Sequence, residues 1–319
     1  YLAAMIQAPT RYSPYGAHRA ELDARKNLVL DRMRALGFID ETATAAAKSE
    51  LVSFALGGQN SILAPHFVFY ILNRLEETYG PNALVSGLKV TTTLDAELET
   101  KVESIMNHYA LENEKKFKAS NASLVALDPS SGQILAMVGS RNFFDKDIDG
   151  QYNATLASRQ PGSAMKPFIY SLALMKGYTR DTVIFDVPTQ FSTACQPPDI
   201  SNNISPCYAP VNFDTTFRGP MTFETALAQS INIPAIKVLY LVGIQNAIQL
   251  AKSFGLTTLG DPNQYGLTLV LGGGEVRLLD LTGAYAVFAN DGVKNTPTGI
   301  LEVDNAEGNV LERYTPQPS

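Results

Sequence analysis

Apolar residues near the N-terminus recur with the spacing of an amphipathic helix. Several of those between residues 17 and 36 share one helical face, and Gly37 stands where a helix C-cap is expected. Asp40 is a suitable N-cap for a second, alanine-rich helix, which the pattern extends to about Leu56 before two glycines interrupt it. The first 56 residues are therefore predicted to form two helices.

The pattern changes between residues 57 and 120. An aromatic and apolar run, H-F-V-F-Y-I-L, occupies residues 66 to 72 within a stretch of mixed composition. The β-branched residues of L-K-V-T-T-T-L, at 88 to 94, favour a strand. We interpret this region as a connector between two domains.

Two strands joined by a turn are predicted next. S-L-V-A-L at 123 to 127 and Q-I-L-A-M-V at 133 to 138 flank D-P-S-S-G, which has the length and the turn-forming residues of a hairpin connection. We expect this hairpin to open a second domain that continues to residue 319.

The composition indicates a folded globular chain. Of 319 residues, 45% are hydrophobic and 18% are charged, which allows a sizeable core. The net charge of -6 argues against binding to nucleic acid, which requires basic surfaces. No run of about 18 apolar residues occurs, so no segment is expected to span a bilayer. Because the sequence begins at Tyr1 in mid-pattern, we expect an upstream part, with any targeting or anchoring segment, to be missing.

Neither the histidines nor the cysteines have the spacing of a metal site. His18, His66 and His108 form no ligand pattern, so we expect neither a metal nor another cofactor. Cys195 and Cys207 lie in one loop rich in Pro, Asn and Ser. Two free thiols and a disulfide are equally compatible with this spacing, and a bridge would contribute roughly 3 kcal/mol in an oxidising compartment.

Two further patterns have ordinary structural explanations. The G-G-G run at 272 to 274 lacks the spacing of a phosphate-binding loop, so a tight backbone turn is favoured. Asp145, Asp147 and Asp149 alternate in a loop but lack the final Glu of a calcium-binding loop, which favours a solvated acidic loop.

The stretch R-Q-P-G-S-A-M-K-P-F places Ser163 three residues before Lys166. Pro167 is tolerated only in the first turn of a helix, so the helix is predicted to begin at or just after Gly162. Residues i and i+3 are neighbours on a helix, and Lys166 could then reach the Ser163 hydroxyl. A nucleophile with its base and a simple helix cap with a solvated lysine are equally open on this pattern alone.

The chain contains a second S-x-x-K copy at Ser86 and Lys89. Because this copy runs into the predicted strand at 88 to 94, its two side chains are expected to point to opposite faces. We therefore interpret it as unrelated to catalysis.

An S-x-N pattern occurs at Ser230 and Asn232, between the helical pattern T-F-E-T-A-L-A-Q and a strongly apolar stretch. The other two copies, which begin at Ser140 and Ser201, lie after a strand and in the cysteine loop. Only the copy at 230 sits at a joint between two buried helices, which is a rigid place to present a hydroxyl and an amide.

Four runs in this order resemble the transpeptidase domain of bifunctional class A penicillin-binding proteins, a family whose S-x-x-K and S-x-N motifs bring catalytic groups together. They are N-A-T-L-A-S-R-Q-P-G-S-A-M-K-P-F-I-Y at 153 to 170, Y-A-P-V-N-F-D at 208 to 214, G-P-M-T-F-E-T-A-L-A-Q-S-I-N-I-P-A-I-K at 219 to 237, and L-G-G-G-E-V-R-L-L-D-L-T-G-A-Y-A-V-F-A-N-D-G at 271 to 292. The resemblance implies an α+β fold, an antiparallel sheet with helices.

The N-terminal part is similar to other regions of the same family. A-A-M-I-Q-A-P-T-R-Y-S-P-Y-G resembles the end of the glycosyltransferase domain, and G-L-K-V-T-T-T-L-D resembles the interdomain linker. The resemblance implies three regions: the end of a glycosyltransferase domain at 1–56, a linker at 57–120, and a transpeptidase domain at 121–319. The catalytic glutamate motifs of the glycosyltransferase are expected upstream of Tyr1.

Carried over to this sequence, the resemblance makes Ser163 the acylated nucleophile and Lys166 the group that takes its proton. Ser230 would relay protons to the leaving and entering amines, and Asn232 would hold the amide of the substrate. Lys166 must be neutral to act as a base at pH 7, which requires its pKa to fall by about 3 units.

The implied reaction is attack on the D-Ala-D-Ala bond of a peptidoglycan stem peptide, release of D-Ala, and transfer of the acyl group to an amine on a neighbouring stem. β-Lactams would acylate the same serine. The implied location is the outer face of the bacterial cytoplasmic membrane, reached through an anchor outside this chain. This oxidising location favours a bridge between Cys195 and Cys207.

The third motif of the family, K-T-G, is absent, because no lysine in the chain is followed by Thr-Gly or Ser-Gly. We therefore expect the chain to be the middle of a longer protein and to be inactive alone. A β-lactamase or D,D-carboxypeptidase on the same fold, and a non-catalytic binding or scaffold module, are the alternatives. The N-terminal resemblance argues against the first, and the two retained motifs argue against the second.

Overall fold

The computed structural model describes residues 1–6, 12, 19–50, 52, 62–316 and 318–319. It divides into two compact units, Tyr1–Leu63 and Ala64–Ser319. The three regions expected from the sequence, with boundaries after residues 56 and 120, remain a prediction.

Four helices come first, and helices and short strands are mixed along the rest of the chain. The helices are α1 (Leu2–Met5), α2 (Arg19–Ala35), α3 (Glu41–Ser49), α4 (Pro65–Tyr79), α5 (Ala96–Phe117), α6 (Lys166–Met175), α7 (Phe223–Ala228), α8 (Asn232–Val242), α9 (Ile244–Ser253) and α10 (Leu278–Ala289). The strands are β1 (Lys89–Thr92), β2 (Leu124–Leu127), β3 (Ile134–Val138), β4 (Ser158–Arg159), β5 (Val183–Asp186), β6 (Gly219–Thr222), β7 (Val276–Arg277), β8 (Ile300–Asp304) and β9 (Val310–Arg313). This mixture of helices and small antiparallel sheets agrees with the expected α+β class.

The first unit contains the two helices predicted near the N-terminus. The N-cap of α3 is confirmed, because Asp40 Oδ1 accepts a hydrogen bond from the backbone N–H of Ala43 at 2.7 Å. This helix ends at Ser49 and not near Leu56 as predicted. The Ser49 hydroxyl donates to the carbonyl of Ala46, and this local side-chain bond competes with continuation of the helix. Residues 51 and 53–61 lie outside the described part.

The aromatic run at 66 to 72, interpreted from the sequence as part of a connector, lies within helix α4. Three buried side chains recur at four-residue intervals and form the apolar face of an amphipathic helix: Phe67, Ile71 and Leu75. Sequence reasoning also missed α5, a helix of 22 residues. Its N-cap is Asp95, whose carboxylate accepts from the N–H groups of two residues in the first turn.

The strand and the hairpin predicted on either side of α5 are both present. Strand β1 forms a three-stranded antiparallel sheet in the order β1-β8-β9. β2 and β3 pair antiparallel, with Leu124 opposite Val138. The Asp128 carboxylate accepts from the Ser130 N–H and the Ser131 hydroxyl, which holds the D-P-S-S-G turn.

Helix α8 lies at the centre of the main hydrophobic core of the second unit. Its apolar side chains are buried on nearly every side, and it packs against α6 and α9. Among the described residues no single helix has the length and apolar character to cross a membrane, and only the bent pair α8 and α9, 93° apart, passes that test by length and composition. The core therefore fixes α6 and α8 side by side.

The loop between β5 and β6 contains a disulfide. Cys195 and Cys207 are bonded, with their Cα atoms 5.6 Å apart. The structure thus decides between the two alternatives that spacing left open. Closing a loop of 12 residues contributes roughly 3 kcal/mol to stability in the chain-entropy description.

Candidate active site

The S-x-x-K motif lies where a short 3₁₀ turn passes into helix α6. The turn comprises Gly162–Met165, and the α-helix begins at Lys166. This agrees with the helix start expected from the sequence. The Ser163 side chain is exposed, whereas Lys166 is only 1% exposed. The motif therefore presents a hydroxyl to solvent above a buried amine.

The S-I-N motif forms the joint between α7 and α8, as predicted. Ser230 has a left-handed backbone conformation with a φ of 53°, and its N–H donates to the carbonyl of Leu227 at 2.9 Å. Non-glycine residues rarely adopt this conformation, and they concentrate at functional sites when the surrounding structure holds them there. Asn232 is the first residue of α8.

The lysine of one motif contacts the serine and the asparagine of the other. Lys166 Nζ donates to the Ser230 backbone carbonyl at 2.6 Å, to Ser230 Oγ at 3.2 Å and to Asn232 Oδ1 at 2.8 Å. Three of the four predicted site residues are therefore joined by hydrogen bonds. Within the part of the chain that the structure describes, no hydrogen bond joins Lys166 to the Ser163 hydroxyl.

Burial lowers the pKa of Lys166 to about 8 from its ordinary 10.5. The physical cause is desolvation, since removing the ammonium from water disfavours the charged form. With a pKa of 8, about a tenth of the molecules carry a neutral amine at pH 7. A minor fraction of the molecules thus carries Lys166 in the neutral form that a base requires.

The three acceptors around Lys166 differ in what they can do when the lysine loses a proton. An ammonium has three N–H donors, one for each acceptor, whereas a neutral amine has two donors and a lone pair. The lone pair cannot face the carbonyl of Ser230 or Oδ1 of Asn232, because both only accept. The Ser230 hydroxyl can reverse its role and donate, so it is the partner suited to exchange a proton with Lys166.

The G-G-G run forms a tight turn against the 3₁₀ turn Gly162–Met165, which agrees with the structural interpretation of this motif. Gly272 has a φ of 91°, and a Cβ atom on it would lie 2.2 Å from the backbone nitrogen of Gly162. Only glycine permits this close backbone approach. The run therefore supports the residue that precedes Ser163.

Replacing Gly272 by alanine should destabilise the protein more than replacing Gly292, although both glycines have a φ near 90°. Gly292→Ala should cost about 1–2 kcal/mol from backbone strain alone, because the space around it is open. Gly272→Ala should cost a further 1–3 kcal/mol, approximately, from overpacking. The free energy of unfolding from urea titration measures both changes, and equal losses would show that the contact with Gly162 contributes nothing.

Aromatic side chains also contact the 3₁₀ turn and the start of α6. The Tyr285 hydroxyl, on α10, donates to the carbonyl of Ala164 at 2.9 Å. The ring of Phe168, on α6, lies 5.3 to 5.5 Å from the rings of Phe254, Tyr285 and Phe288. Edge-to-face and tilted contacts at such distances add to the stabilisation by burial.

The second S-x-x-K copy is not part of this site. The Ser86 hydroxyl donates to the carbonyl of Ala83 at 2.7 Å. The Lys89 side chain is 80% exposed and lies 3.9 Å from Asp304. Ser86 ends a 3₁₀ turn and only Lys89 lies in strand β1, so the expected placement on opposite faces of one strand was wrong. That this copy is unrelated to catalysis stays a prediction.

One polar residue beside the site was not singled out from the sequence. Asn212 Oδ1 accepts hydrogen bonds from the backbone N–H groups of Asn232 and Ile233, at 3.1 and 3.2 Å. Its position within the run Y-A-P-V-N-F-D was a signal, because a polar side chain among turn-forming residues near a proline suits a capping role.

The sequence and the fold match known proteins. Residues 122–318 match the family model described as the penicillin binding protein transpeptidase domain. The chain is 30% identical over 315 residues to penicillin-binding protein 2D of Bacillus subtilis, covering 97% of this chain and 43% of that protein. It is 38% identical over 196 residues to penicillin-binding protein 1A of Aquifex aeolicus, covering 61% of this chain and 25% of that protein.

The fold is similar to a crystal structure of penicillin-binding protein 1A from Haemophilus influenzae. The TM-score is 0.74 at 21% identity, over 100% of this chain and 59% of the other. The chain thus spans less than half the length of the two curated relatives described above. Because the family model covers most of the chain, including both motifs of the site, the chain belongs to the penicillin-binding protein transpeptidase family.

Proposed function

We propose that this chain carries the acylating half of a D,D-transpeptidase active site that cross-links peptidoglycan stem peptides. The observation that carries the proposal is the buried Lys166, which donates to both Ser230 and Asn232 beneath an exposed Ser163. A buried amine with a lowered pKa beside a hydroxyl at a helix start is the arrangement that activates a serine.

In the proposed reaction, the Ser163 oxygen attacks the carbonyl carbon of the D-Ala-D-Ala bond while its proton passes to neutral Lys166. The carbon–nitrogen bond breaks, and the departing D-Ala amine receives a proton relayed from Lys166 through the Ser230 hydroxyl. An amine of a neighbouring stem then attacks the acyl ester, losing a proton by the reverse route, and Ser163 is released. β-Lactams acylate the same oxygen and leave an ester on Ser163.

The proposed role of Ser230 is supported by its ability to donate or accept toward Lys166. Asn232 is proposed to hold the substrate amide. Its Oδ1 accepts from Lys166 and its Nδ2 donates to the carbonyl of Val211 at 3.2 Å, so substrate binding would exchange one of these hydrogen bonds for one to the substrate.

A hydrolase on the same fold is not favoured. The match to penicillin-binding protein 2D runs over 97% of this chain, including the residues before the transpeptidase domain. A stand-alone β-lactamase or carboxypeptidase has no need of those residues.

We further propose that the whole protein also polymerises glycan strands and acts on the outer face of the cytoplasmic membrane, held there by an anchor. The chain spans 43% of penicillin-binding protein 2D, which leaves room for a glycosyltransferase core and for the strand with the K-T-G motif. The 319 residues alone, without that strand, would then be nearly inactive.

The rate of acylation by a labelled penicillin should rise with pH through about 8, because the neutral fraction of Lys166 rises there. A group with this pKa becomes about fiftyfold more neutral between about pH 6 and about pH 8. The rate should be measured on the complete protein in its natural reading frame, with peptide mass mapping to locate the adduct. A label on another serine, or a rate independent of pH over this interval, contradicts the proposed function.

A further inference from the structure

Helix α8, which begins with Asn232, does not cap its own N-terminus. The preceding residue, Ile231, has no side chain that can accept a hydrogen bond. The carbonyl oxygen of the Asn212 side chain does this instead, by accepting from the N–H groups of Asn232 and Ile233. A helix start needs such acceptors, since its first N–H groups have no partner within the helix.

The other end of the Asn212 amide is anchored in the interior. Its Nδ2 donates to Asp186 Oδ1 at 2.8 Å and to the carbonyl of Thr216 at 2.7 Å. Asp186 is fully buried, and its second oxygen accepts from the backbone N–H of Arg218 at 2.9 Å. Because two acceptors face Nδ2, the amide of Asn212 cannot rotate by half a turn without losing its bonds at both ends.

The side chain of the first residue of α8 also donates a hydrogen bond to the chain segment that contains Asn212. The side chain of Asn232 donates through Nδ2 to the carbonyl of Val211, the residue before Asn212. This bond directs Oδ1 of Asn232 toward the ammonium of Lys166. The chain segment at 211–212 and the first turn of α8 therefore hold each other in one arrangement.

Building on the proposed function, we infer that Asn212 is a positioning residue for acylation: anchored by Asp186, it fixes the first turn of α8 so that Ser230 and Asn232 face Lys166. Among the described residues the Asn212 side chain makes no hydrogen bond to Lys166 or Ser163, and it acts through the backbone of α8. A displacement of about 1 Å at reacting groups can cost about 10²-fold in rate.

The first test is Asn212→Ala in the complete protein, with labelled penicillin as the probe. We expect the acylation rate constant of the folded protein to fall about 10- to 100-fold. We also expect the midpoint of its pH profile to rise above that of the wild type, since a loosened helix start admits water to Lys166. A change that merely lowers the folded fraction leaves this midpoint in place.

Asn295→Ala is the matched control. Asn295 is also a buried asparagine, and its Nδ2 donates to the carbonyls of Pro129 and Ser130, both at 3.0 Å. Its loss should lower the melting temperature by a similar amount but leave the acylation rate constant and the pH midpoint unchanged. Equal kinetic effects in the two variants would overturn the inference.

A donor–acceptor exchange provides a rescue. Asn212→Asp keeps an acceptor for the N–H groups of α8 but faces both the Asp186 carboxylate and the Thr216 carbonyl without a donor. Adding Asp186→Asn supplies a donor between residues 186 and 212, although the Thr216 carbonyl stays without one. Asn212→Asp alone should acylate at least about tenfold more slowly than the wild type, and the double variant should be at least about threefold faster than Asn212→Asp alone. No recovery overturns the inference, and this comparison also decides if Asn212→Ala does not fold.

Labelling of the wild-type protein distinguishes failure of the proposed function from failure of the inference about Asn212. If its Ser163 is not labelled, the proposed function fails and the inference fails with it. If Ser163 is labelled and the Asn212 variants acylate at the wild-type rate, the inference alone fails.

Discussion

Replacing Lys166 by alanine is expected to slow acylation of Ser163 by labelled penicillin about 10²- to 10⁴-fold, the usual size of a lost general base. The proton of the Ser163 hydroxyl then has no buried amine to receive it. The truncation also leaves the carbonyl of Ser230 and Oδ1 of Asn232 without their donor. Acylation rates at about pH 8, normalised to folded protein by circular dichroism, measure the effect.

Lys89→Ala is the control for this prediction. It removes the lysine of the second S-x-x-K copy, whose side chain is exposed and lies beside Asp304 of β8. Its acylation rate should equal that of the wild type. Undiminished labelling of the Lys166→Ala variant would show that the chemistry has been assigned to the wrong residue.

The second large effect concerns the K-T-G motif, which none of the 319 residues supply. A longer chain that continues through this motif in the natural reading frame should be acylated about 10²- to 10³-fold faster than the 319 residues alone, because the strand would supply one donor to the developing oxyanion. Its side chains would also hold the carboxylate of the substrate. Stopped-flow measurement with the same labelled penicillin compares the two.

Ser163→Ala is the control, and it should abolish covalent labelling both in the longer chain and in the 319 residues alone. Equal rates for the short and long chains would mean that the described residues already complete the oxyanion site. A reading frame without the motif would refute the premise directly.

The local structure of the two motifs was predictable because it depends on residues adjacent in the sequence. Pro167 fixes a helix start beside Ser163, and the apolar residues after Asn232 require a buried helix. Their meeting at Lys166 followed from the family resemblance and was not encoded in either motif alone. Spacing along a chain does not determine which residues of two helices come into contact.

The position of Asn212 among turn-forming residues suits a capping role, but the sequence could not show which helix it caps. Its partners lie 20 and 21 residues away, beyond the range in which local capping patterns can be recognised. The buried Asp186 that anchors it lies at the end of strand β5, 26 residues before Asn212, so nothing in the sequence links the two side chains. Such contacts are determined by the packing of the core.

The helices α4 and α5 were missed for different reasons. In α4 the aromatic residues obscured the periodic face formed by Phe67, Ile71 and Leu75. In α5 the apolar face is weak, and the useful signals were the Asp95 cap and the ion pair of Lys101 with Glu97 one turn earlier. Both signals could have been read from the sequence.

The disulfide has a practical consequence for anyone who prepares this protein. Cys207 precedes Asn212 by five residues in the same loop, so the bridge is the covalent attachment nearest to that segment. Protein produced in the reducing cytoplasm of an expression host would carry two thiols there. Secretion into an oxidising compartment, with a thiol titration of every batch, is therefore a requirement before rates from different laboratories are compared.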